Sequence, residues 1–528
     1  MDLCINMSKG AYIRDIIQKA SRCEASGNRT ELLGLLLEGI EYDPENYELF
    51  YMLGFYYYYE NSDKAFLGME HAGRLCRKKL DALLPDDEKT IEFRKDFEDI
   101  LNSCAKLLDD CAVSVKNVSV VVLSYNDLEL MKQCLESVKQ YDTGFFDENK
   151  LEIIVVDNAS SDGTEKWLEQ ETETNKKIKL IRNENNEGFA KGCNLGINCC
   201  NLDNDILLLN NDAKLTPNSL FWLRMGLYES RCIGACGAVS NNAALQMAFE
   251  EDEKGSADGE ATWQRYSHTN NQAVSPYEHR CRLTAFAEFI KREAVDATMT
   301  DGKLFDERFS PAYFEDDDLG MRITRAGFEQ LLCHNCFVYH KGGAVSMKER
   351  SEDNAADENA FDRNTNALSD SHQKFISKWG FDIWNYSAPS KEISNAVCSI
   401  ISNPIERFAL LEIDCGMGIN LSNLRYLRPN GFYAGTERRS DVSGMGRFMG
   451  KIYTGSFEDV ELPCTAGFFD IAIIGDSVKY ADDEEKYLDK IFFYINKKGN
   501  LLINEDFLEK CRSFGQKRGF EGKYFVLE

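Results

Sequence analysis

The chain has 528 residues, of which 88 are Asp or Glu and 61 are Lys or Arg, so its formal net charge is −27. A surface this acidic repels phosphate backbones and anionic lipid, which argues against a general nucleic-acid-binding protein and against a polybasic membrane protein. An apolar content of 43% is ordinary for globular proteins, and the length predicts roughly three or four domains.

The use of cysteine and of apolar residues bears on location. Eighteen scattered cysteines are too sparse for a disulfide scaffold and predict reduced thiols, as in the cytoplasm. The N-terminal sequence has no apolar segment of the secretory type. The longest apolar run, residues 49–59, has 11 residues, against the roughly 20 that a membrane helix needs. We expect a cytoplasmic protein with no transmembrane segment, and a peripheral position at the inner face of the membrane stays open.

Residues 1–112 are predicted to be helical. Apolar residues recur at helical spacing from Leu32 to Ile40, Asp43-Pro44 interrupts the pattern, and a second periodic run surrounds Gly54. This second run resembles the first helix of a tetratricopeptide repeat, in which a small residue lets the next helix pack closely. A plain helical bundle explains the same pattern. Either interpretation predicts docking or packing and not chemistry.

From about residue 113 the pattern changes to short apolar runs, each ended by a polar cluster. Helical stretches such as residues 128–139 separate these runs, an alternation typical of a parallel α/β sheet. Ligands of such sheets bind beyond the carboxyl ends of the strands. The four predicted strands are residues 118–123, 151–156, 178–181 and 206–209.

The residues after these four runs are polar or small. A single acid at a strand end is most simply a helix cap or turn former, but four successive polar strand ends predict a ligand site. Gly188 and Gly192 allow backbone to approach a ligand closely. The carboxylate of Asp157 can accept hydrogen bonds from a nucleobase imide or a ribose hydroxyl.

Five short motifs carry a family resemblance: SYN at 124–126, DNASSDGT at 157–164, NEGFAKGCN at 186–194, LLLNND at 207–212 and YFEDDDL at 313–319. In this order, residues 118–345 resemble a family 2 glycosyltransferase with the GT-A nucleotide-sugar fold, of the bacterial rhamnosyltransferase-like branch. The resemblance implies Mn²⁺ or Mg²⁺ at Asp212, the last position of the family's DxD element, although Asn210 replaces the first acid. The donor-binding residues that it implies are Ser124, Tyr125, Asn126, Asp157, Asn158, Gly188, Asn194, Asn211 and Lys341.

Four successive acids, residues 315–318, form a second cluster. They are tolerable at a helix start, where free N–H groups and the helix dipole favour negative charge, so a capped and solvated helix start is one interpretation. The other is that one carboxylate points into the cleft as a general base. By resemblance to the family's EDxxL element, Asp316 is that base and Glu315 contacts the sugar or the acceptor.

His340 ends an apolar stretch and precedes Lys341 and two glycines. A structural histidine and a ligand are equally compatible with that position. Family members place a histidine in a similar H-x-G-G stretch near the diphosphate, and the resemblance therefore favours metal or phosphate binding. Lys341 would offset phosphate charge.

These features together predict an inverting hexosyl- or rhamnosyltransferase that uses a nucleoside-diphosphate sugar. The acceptor is expected to be a hydroxyl group of a glycan or of a protein, flagellin being one example. Two alternatives stay open: a bifunctional glycosyltransferase–methyltransferase, and a non-catalytic nucleotide-sugar-binding scaffold, which Asn210 favours. Two polar segments, residues 250–281 with Trp263 and Tyr266 and residues 347–370, are predicted to be binding loops or solvated loops.

Residues 386–528 are predicted to form a further α/β domain. A strand leads into a glycine turn at Gly416 and Gly418, and Glu437 ends the next predicted strand, where an acid binds ribose hydroxyls. This pattern resembles a class I methyltransferase. Asp414 replaces the first glycine, so we expect a degenerate structural or acceptor-binding module, with S-adenosylmethionine as the less favoured alternative.

The predicted fold class is thus α/β: a GT-A nucleotide-sugar-binding sheet, preceded by an all-α helical-repeat-like domain and followed by a small Rossmann-like domain. The predicted domains are residues 1–112, 113–385 and 386–528.

Overall fold

The structure is a computed structural model that describes residues 8–83, 88–141, 150–248, 276–342, 358–386, 388–475 and 477–527. Within these residues, no helix is long and apolar enough to cross a bilayer. The chain divides into two compact units. The main segment of the second unit begins at His372, before the boundary predicted near residue 385. The first unit comprises Met1–Tyr277, Leu283–Leu319 and Ala326–Ser371, and the second comprises Glu278–Arg282, Gly320–Arg325 and His372–Glu528.

The first unit opens with the helices that the sequence predicts. Three of them begin at an asparagine whose side chain accepts a hydrogen bond from the backbone three residues later, which satisfies a free N–H of the first turn. Gly54 and Gly68 lie in neighbouring helices, and a methyl group on Gly68 would lie 2.8 Å from the Gly54 backbone. The tetratricopeptide likeness itself stays a prediction. The helices are α1 Lys9–Ser26, α2 Arg29–Tyr42, α3 Tyr47–Tyr57, α4 Ser62–Asp81 and α5 Glu88–Asp110.

A mixed sheet follows in the order β3-β2-β1-β4-β8-β6-β9-β5. Strands β1, β2, β3 and β4 run parallel, whereas β8 is antiparallel to β4 and β6. The strands are β1 Val118–Ser124, β2 Leu151–Asp157, β3 Ile178–Arg182, β4 Asp205–Asn210, β5 Ala213–Leu215, β6 Ile233–Val239, β7 Tyr277–Arg280, β8 Ala287–Ile290 and β9 Glu329–His340. The helices along this part of the chain are α6 Leu128–Tyr141, α7 Thr164–Thr174, α8 Phe189–Asn198, α9 Ser219–Leu227, α10 Arg292–Thr298, α11 Glu315–Ala326 and α12 Glu358–Trp379.

The register of the parallel strands places the predicted polar clusters at one edge. Ser124 of β1 is opposite Asp157 of β2, and Leu123 is opposite Asn210 of β4. Because parallel strands end at the same edge of a sheet, residues 124–126, 157–160 and 210–212 are neighbours. The parallel pairing of the four predicted strands is confirmed.

The helices α1–α5 and the mixed sheet share one hydrophobic core. Buried polar contacts join them as well: Arg224 of α9 binds Glu70 of α4 at 3.0 Å, and His71 lies 2.9 Å from the Asn218 amide oxygen. The helical region is therefore packed as part of the first unit.

The second unit is a parallel sheet of six strands in the order β12-β11-β10-β13-β14-β15. Numbered from its own first strand, this order is 3-2-1-4-5-6, which is the order of dinucleotide-binding Rossmann folds. The predicted Rossmann-like architecture is confirmed, and the methyltransferase likeness stays a prediction. The strands are β10 Ala409–Ile413, β11 Phe432–Glu437, β12 Lys451–Thr454, β13 Phe469–Gly475, β14 Ile495–Asn504 and β15 Lys523–Leu527, and the helices are α13 Lys391–Ile400, α14 Ile419–Leu427, α15 Ser440–Ser443, α16 Glu484–Tyr494 and α17 Glu505–Lys517.

Candidate active site

Asp157 ends β2 with its side chain inside the protein, at 1% exposure. Its Oδ2 accepts a hydrogen bond from the Ser160 backbone N–H at 3.1 Å, whereas its Oδ1 has no partner among the described residues. The buried Oγ of Ser124, opposite in register, likewise lacks a partner within that part of the chain. We call such an atom an open oxygen. Burying an unpaired polar atom costs about 1–3 kcal/mol, so two neighbouring open oxygens indicate a place prepared for a ligand.

The loop after β1 is fixed to the loop after β2. Asn126 has a left-handed backbone (φ 58°), donates its N–H to the Ser160 Oγ at 2.8 Å and accepts from the Ser161 N–H at 2.8 Å. Asn211 donates to the Asn126 carbonyl at 3.4 Å, and Tyr125 is 44% exposed. Three predicted donor-binding positions, Tyr125, Asn126 and Asn211, therefore lie close together, and their contact with a donor stays a prediction.

Asn158 and Asn194 make their hydrogen bonds within the protein. The Asn158 amide donates to Asn186 at 2.9 Å and to the Gly188 carbonyl at 3.3 Å, which ties the loop after β2 to the loop after β3. Asn194 is buried, accepts from the N–H groups of Leu304 and Phe305 and donates to the Phe305 carbonyl. These contacts position loops, and a direct contact of either side chain with the donor is not tested by them.

At Gly188 the loop after β3 closely approaches the backbone of Pro311. Its φ is 81°, and a Cβ at this position would lie 2.6 Å from the Pro311 carbonyl oxygen. The next residue, Phe189, donates its N–H to the same oxygen at 2.9 Å. The glycine thus lets the loop after β3 lie against the segment that leads into α11.

Asp212, two residues after β4, meets His340, the last residue of β9. The Asp212 Oδ1 lies 3.2 Å from the His340 Nε2, and the His340 Nδ1 donates to the Asn242 carbonyl at 2.6 Å. Because that carbonyl can only accept, Nδ1 carries a hydrogen, and in the neutral ring Nε2 is an acceptor that faces an acceptor. Burial lowers the pKa of His340, but the hydrogen bond and charge of Asp212 outweigh burial and raise it. Burial alone would raise the pKa of Asp212, but the hydrogen bond and charge of His340 outweigh burial and lower it.

A divalent cation fits this pair of side chains. A cation at Nε2 and Oδ1 would take the place of the proton between these two atoms, and the Nδ1 contact is the usual orientation of a metal-ligating histidine. The Asn210 amide nitrogen lies 3.3 Å from Nε2, and the Gly342 N–H donates to the other Asp212 oxygen at 3.0 Å. Lys341 donates its backbone N–H to the Asp212 carbonyl at 3.1 Å. In the described ranges no three His, Cys, Asp or Glu side chains form a metal cluster.

The four acids at the start of α11 differ in their exposure and in their contacts. Tyr313 and Phe314 have left-handed backbones, and α11 begins directly after them at Glu315. Glu315, Asp317 and Asp318 are buried, whereas Asp316 is partly exposed and accepts from the Asp317 N–H at 2.9 Å. Burial, and then the charges of Asp316 and Asp317, raise the pKa of Glu315, whose Oε2 is a third open oxygen in the described structure. Among the four acids, Asp316 is the one whose side chain is not buried.

Sequence reasoning missed Glu288, in the middle of β8. It is 1% exposed, and burial together with the charge of Asp316 raises its pKa well above the usual value. Its Oε2 is a fourth open oxygen within the described ranges. The signal was present: Glu288 is a lone acid inside the apolar run FAEFI, residues 286–290.

Sequence reasoning also missed two asparagines that hold His340. Asn241 bonds to both backbone groups of His340 at 2.9 Å, and Asn242 accepts from its ring. They follow β6 as other polar clusters follow β1 and β4, which was the available signal. Trp263, Tyr266 and residues 347–357 lie outside the described residues.

At the second sheet, Glu437 is the acid predicted to bind ribose hydroxyls. Its two carboxylate oxygens accept from the N–H groups of Gly416 at 3.0 Å and Arg439 at 2.9 Å, and ribose binding stays a prediction. Asp414 pairs with the Arg438 Nε at 3.2 Å, and a Cβ on Gly416 would lie 2.6 Å from the Tyr386 ring. The chain's own groups therefore cover the glycine turn.

The first unit is thus an α/β sheet with open oxygens at its polar edge, and residues 119–291 within it match the model of glycosyl transferase family 2. Over 84 residues the chain is 34% identical to an uncharacterized glycosyltransferase of Haemophilus influenzae. That match covers 16% of this chain and 24% of the other protein, so the chain spans about a quarter of the curated relative's length. The matched region supports the predicted family 2 resemblance and the GT-A sheet; the rhamnosyltransferase-like branch stays a prediction.

Three solved structures are similar at low identity. A mannosyltransferase from Pyrobaculum calidifontis, PcManGT, in complex with GDP-Man and Mn²⁺, is 18% identical with a TM-score of 0.32, over 43% of this chain and 58% of that one. GalNAc-T7 with UDP, GalNAc and Mn²⁺ is 15% identical with a TM-score of 0.33, over 42% and 43%. TarS of S. aureus, residues 1-349 in complex with UDP-GlcNAc, is 17% identical with a TM-score of 0.31, over 44% and 60%.

Proposed function

We propose that this protein is an inverting glycosyltransferase that moves a sugar from a nucleoside-diphosphate sugar to an acceptor hydroxyl. The observation that carries the proposal is the set of open oxygens on Ser124, Asp157 and Glu315, in a unit whose sheet matches glycosyl transferase family 2. A bound substrate would supply the hydrogen bonds that these buried atoms lack, and would offset their cost.

The donor's nucleoside is proposed to bind at Asp157 and Ser124. The Asp157 Oδ1 is an acceptor held rigidly by the Ser160 contact of the other oxygen, as recognition of a base imide or a ribose hydroxyl requires. Tyr125, which is exposed beside it, offers a ring face for the base. Lys341 is proposed to offset phosphate charge.

Asp212 and His340 would hold Mn²⁺ or Mg²⁺ at the diphosphate. When bound, such a cation stabilises the negative charge that gathers on the departing diphosphate. Asn210, a neutral amide, stands where the family has an acid, so the protein supplies less charge than a complete DxD element does.

Asp316 takes the proton in the proposed reaction. The acceptor oxygen bonds to the anomeric carbon from the face opposite the diphosphate, and the bond from that carbon to the phosphate oxygen breaks. The bonding electrons leave with the diphosphate, and the hydroxyl proton passes to the Asp316 carboxylate. One displacement inverts the anomeric centre.

The acceptor is proposed to be a hydroxyl of a glycan or of a protein such as flagellin. The helices α1–α5 share a core with the sheet and are the part of the first unit proposed to dock a protein acceptor. Hexosyl and rhamnosyl donors are both included, and the scattered reduced cysteines support a cytoplasmic reaction.

A scaffold that binds nucleotide sugars without turnover is the second candidate, because Asn210 weakens the cation site. Methyl transfer is not proposed, because Asp414 replaces the first glycine of the turn that the family resemblance implies.

One experiment separates the candidates. The full chain is heated with a panel that includes UDP-GlcNAc, GDP-mannose and dTDP-rhamnose, each with Mn²⁺ or Mg²⁺, and nucleoside diphosphate release is measured with the stabilising donor. An enzyme is stabilised by one donor through mass action and slowly releases its diphosphate. A scaffold is stabilised and releases none, and the absence of any stabilisation contradicts both candidates.

A further inference from the structure

Strand β9 runs beyond the end of the strand beside it. Val239, the last residue of β6, is opposite Phe337, and β9 continues past that point to His340. On its other side, His340 is paired in register with Ala213 of β5. Because a backbone N–H and C=O inside a protein need hydrogen-bond partners, those of His340 require partners that β6 does not supply.

The side chain of Asn241 supplies these partners. Its Oδ1 accepts from the His340 N–H at 2.9 Å, and its Nδ2 donates to the His340 carbonyl at 2.9 Å. A primary amide carries the same donor and acceptor as a peptide group, so Asn241 bonds to His340 as a further strand residue would. The Ser240 hydroxyl donates to the same Oδ1 at 3.3 Å, which restrains the orientation of the amide.

The next residue, Asn242, holds the His340 ring. Its backbone carbonyl accepts from the His340 Nδ1 at 2.6 Å, and its side-chain amide donates to the Lys341 carbonyl at 2.8 Å. The ring also stacks on Phe286, with the ring centroids 4.8 Å apart. With Nδ1 and one ring face fixed in this way, Nε2 is directed at the Asp212 Oδ1, 3.2 Å away.

Asn241 and Asn242 are adjacent, so the contacts that they make with His340 depend on each other. The Asn241 side chain fixes the distance between the His340 backbone and the turn that carries the Asn242 carbonyl. Partners of this kind, behind a metal-binding histidine, set the ring nitrogen that faces the metal and the orientation of the ring.

We propose that Asn241 is a positioning residue of the cation site. It holds the His340 backbone so that Nε2 and the Asp212 carboxylate face one another before a cation arrives. The inference rests on the cation site of the proposed function. Residue 241 lies outside the five motifs that carry the family resemblance.

The test is a titration of the full chain with Mn²⁺ alone, followed by the paramagnetic resonance signal of the free ion. Gln246→Ala is the matched control for Asn241→Ala. The Gln246 amide also bonds to one backbone carbonyl, of Ala238 at 2.7 Å, and to one backbone N–H, of Thr284 at 2.5 Å. Both variants should melt below the wild type, because each leaves two backbone groups without their side-chain partner.

The two variants are expected to differ in cation affinity. Asn241→Ala should raise the Mn²⁺ dissociation constant by about tenfold, whereas Gln246→Ala should leave it within about twofold of the wild type. If Asn241→Ala does not fold, Asn241→Ser replaces it, since a hydroxyl keeps one bond to the His340 backbone. The serine variant should raise the dissociation constant by about threefold or more.

Three results overturn the inference. If the Asn241 variant binds Mn²⁺ like the wild type while melting lower, Asn241 only ends the strand pairing. If Gln246→Ala loses the same affinity, the loss reflects general loosening. If the wild type binds no Mn²⁺, the cation site itself fails. A wild type that binds Mn²⁺ but releases no nucleoside diphosphate contradicts the proposed transfer alone, and the expected affinity loss in Asn241→Ala then still supports the positioning role.

Discussion

Asp157 and Glu437 stand at equivalent places in the two sheets, each ending the strand beside the first strand of its sheet. Asp157 uses one oxygen for a backbone N–H and leaves the other open, whereas Glu437 uses both oxygens for backbone N–H groups. In the amino-acid sequence the two regions give the same signal, an acid at the end of a predicted strand. The two acids therefore differ at one oxygen, and the open oxygen of Asp157 is the reason why a nucleotide is proposed at the first sheet.

The comparison extends to the neighbouring charged groups. At the first sheet, Asp212 faces a histidine whose ring is oriented as a metal ligand. At the second, the Asp414 Oδ1 pairs with the Arg438 Nε at 3.2 Å, and its Oδ2 has no partner among the described residues. Activity is proposed for the first unit because that unit holds the match to glycosyl transferase family 2.

The largest expected effect comes from Asp316→Asn. Because the variant cannot take the acceptor proton, nucleoside diphosphate release and transfer fall by at least about a hundredfold, while thermal stabilisation by the donor is retained. Asp296→Asn, at an exposed acid of α10 in the same unit, is the control and keeps full activity. Comparable turnover by Asp316→Asn would remove Asp316 from its proposed role.

The second-largest effect is expected from substituting the two side chains that are proposed to hold the cation. His340→Ala and Asp212→Asn are each expected to raise the Mn²⁺ concentration needed for half-maximal donor binding by roughly tenfold to a hundredfold. This is the range of affinity loss seen when metal ligands or their supports are lost. Titration of Mn²⁺ at fixed donor concentration measures this. His372→Ala, whose ring pairs with Asp382, should leave the titration unchanged. A titration unaffected by either site variant would place the cation elsewhere.

Matched substitutions at the two strand-end acids test the comparison itself. Asp157→Asn replaces the open acceptor with an amide donor and should weaken nucleotide binding by about tenfold, with thermal stability nearly unchanged. Glu437→Gln points a side-chain N–H at a backbone N–H. It should therefore lower the free energy of unfolding by about 1–2 kcal/mol and leave nucleotide binding unchanged. The reverse pattern, measured by calorimetry and thermal melting, would assign the nucleotide to the second unit.

The smallest effect is a difference between two glycine variants. Gly188→Ala and Gly163→Ala each put an alanine at positive φ, but only Gly188 has backbone, the Pro311 carbonyl, within 2.6 Å of the new Cβ. Gly188→Ala should therefore lower the free energy of unfolding by about 1 kcal/mol more than Gly163→Ala does. Equal losses in denaturant titrations would mean that the loop does not press on Pro311.

Much of the first sheet was predictable, because buried parallel strands are continuous apolar runs and their ends are marked by polar residues. Asp157, Asp212 and His340 were visible for that reason. Glu288 was missed although its sequence signal, a lone acid inside an apolar run, was present, because no polar cluster or motif surrounds it. The contacts of Glu437 and His340 could not be predicted for another reason. They join residues that are distant in the sequence, such as Asn242 and His340, and sequence patterns do not show which distant residues meet.

The most direct test is a crystal structure of the Asp316→Asn variant with Mn²⁺ and the donor that the panel identifies. We predict the nucleoside against Asp157, the diphosphate with its cation at Asp212 and His340, and the anomeric carbon facing residue 316. A donor seated on the sheet with residue 316 turned away from the sugar would contradict the proposed catalysis.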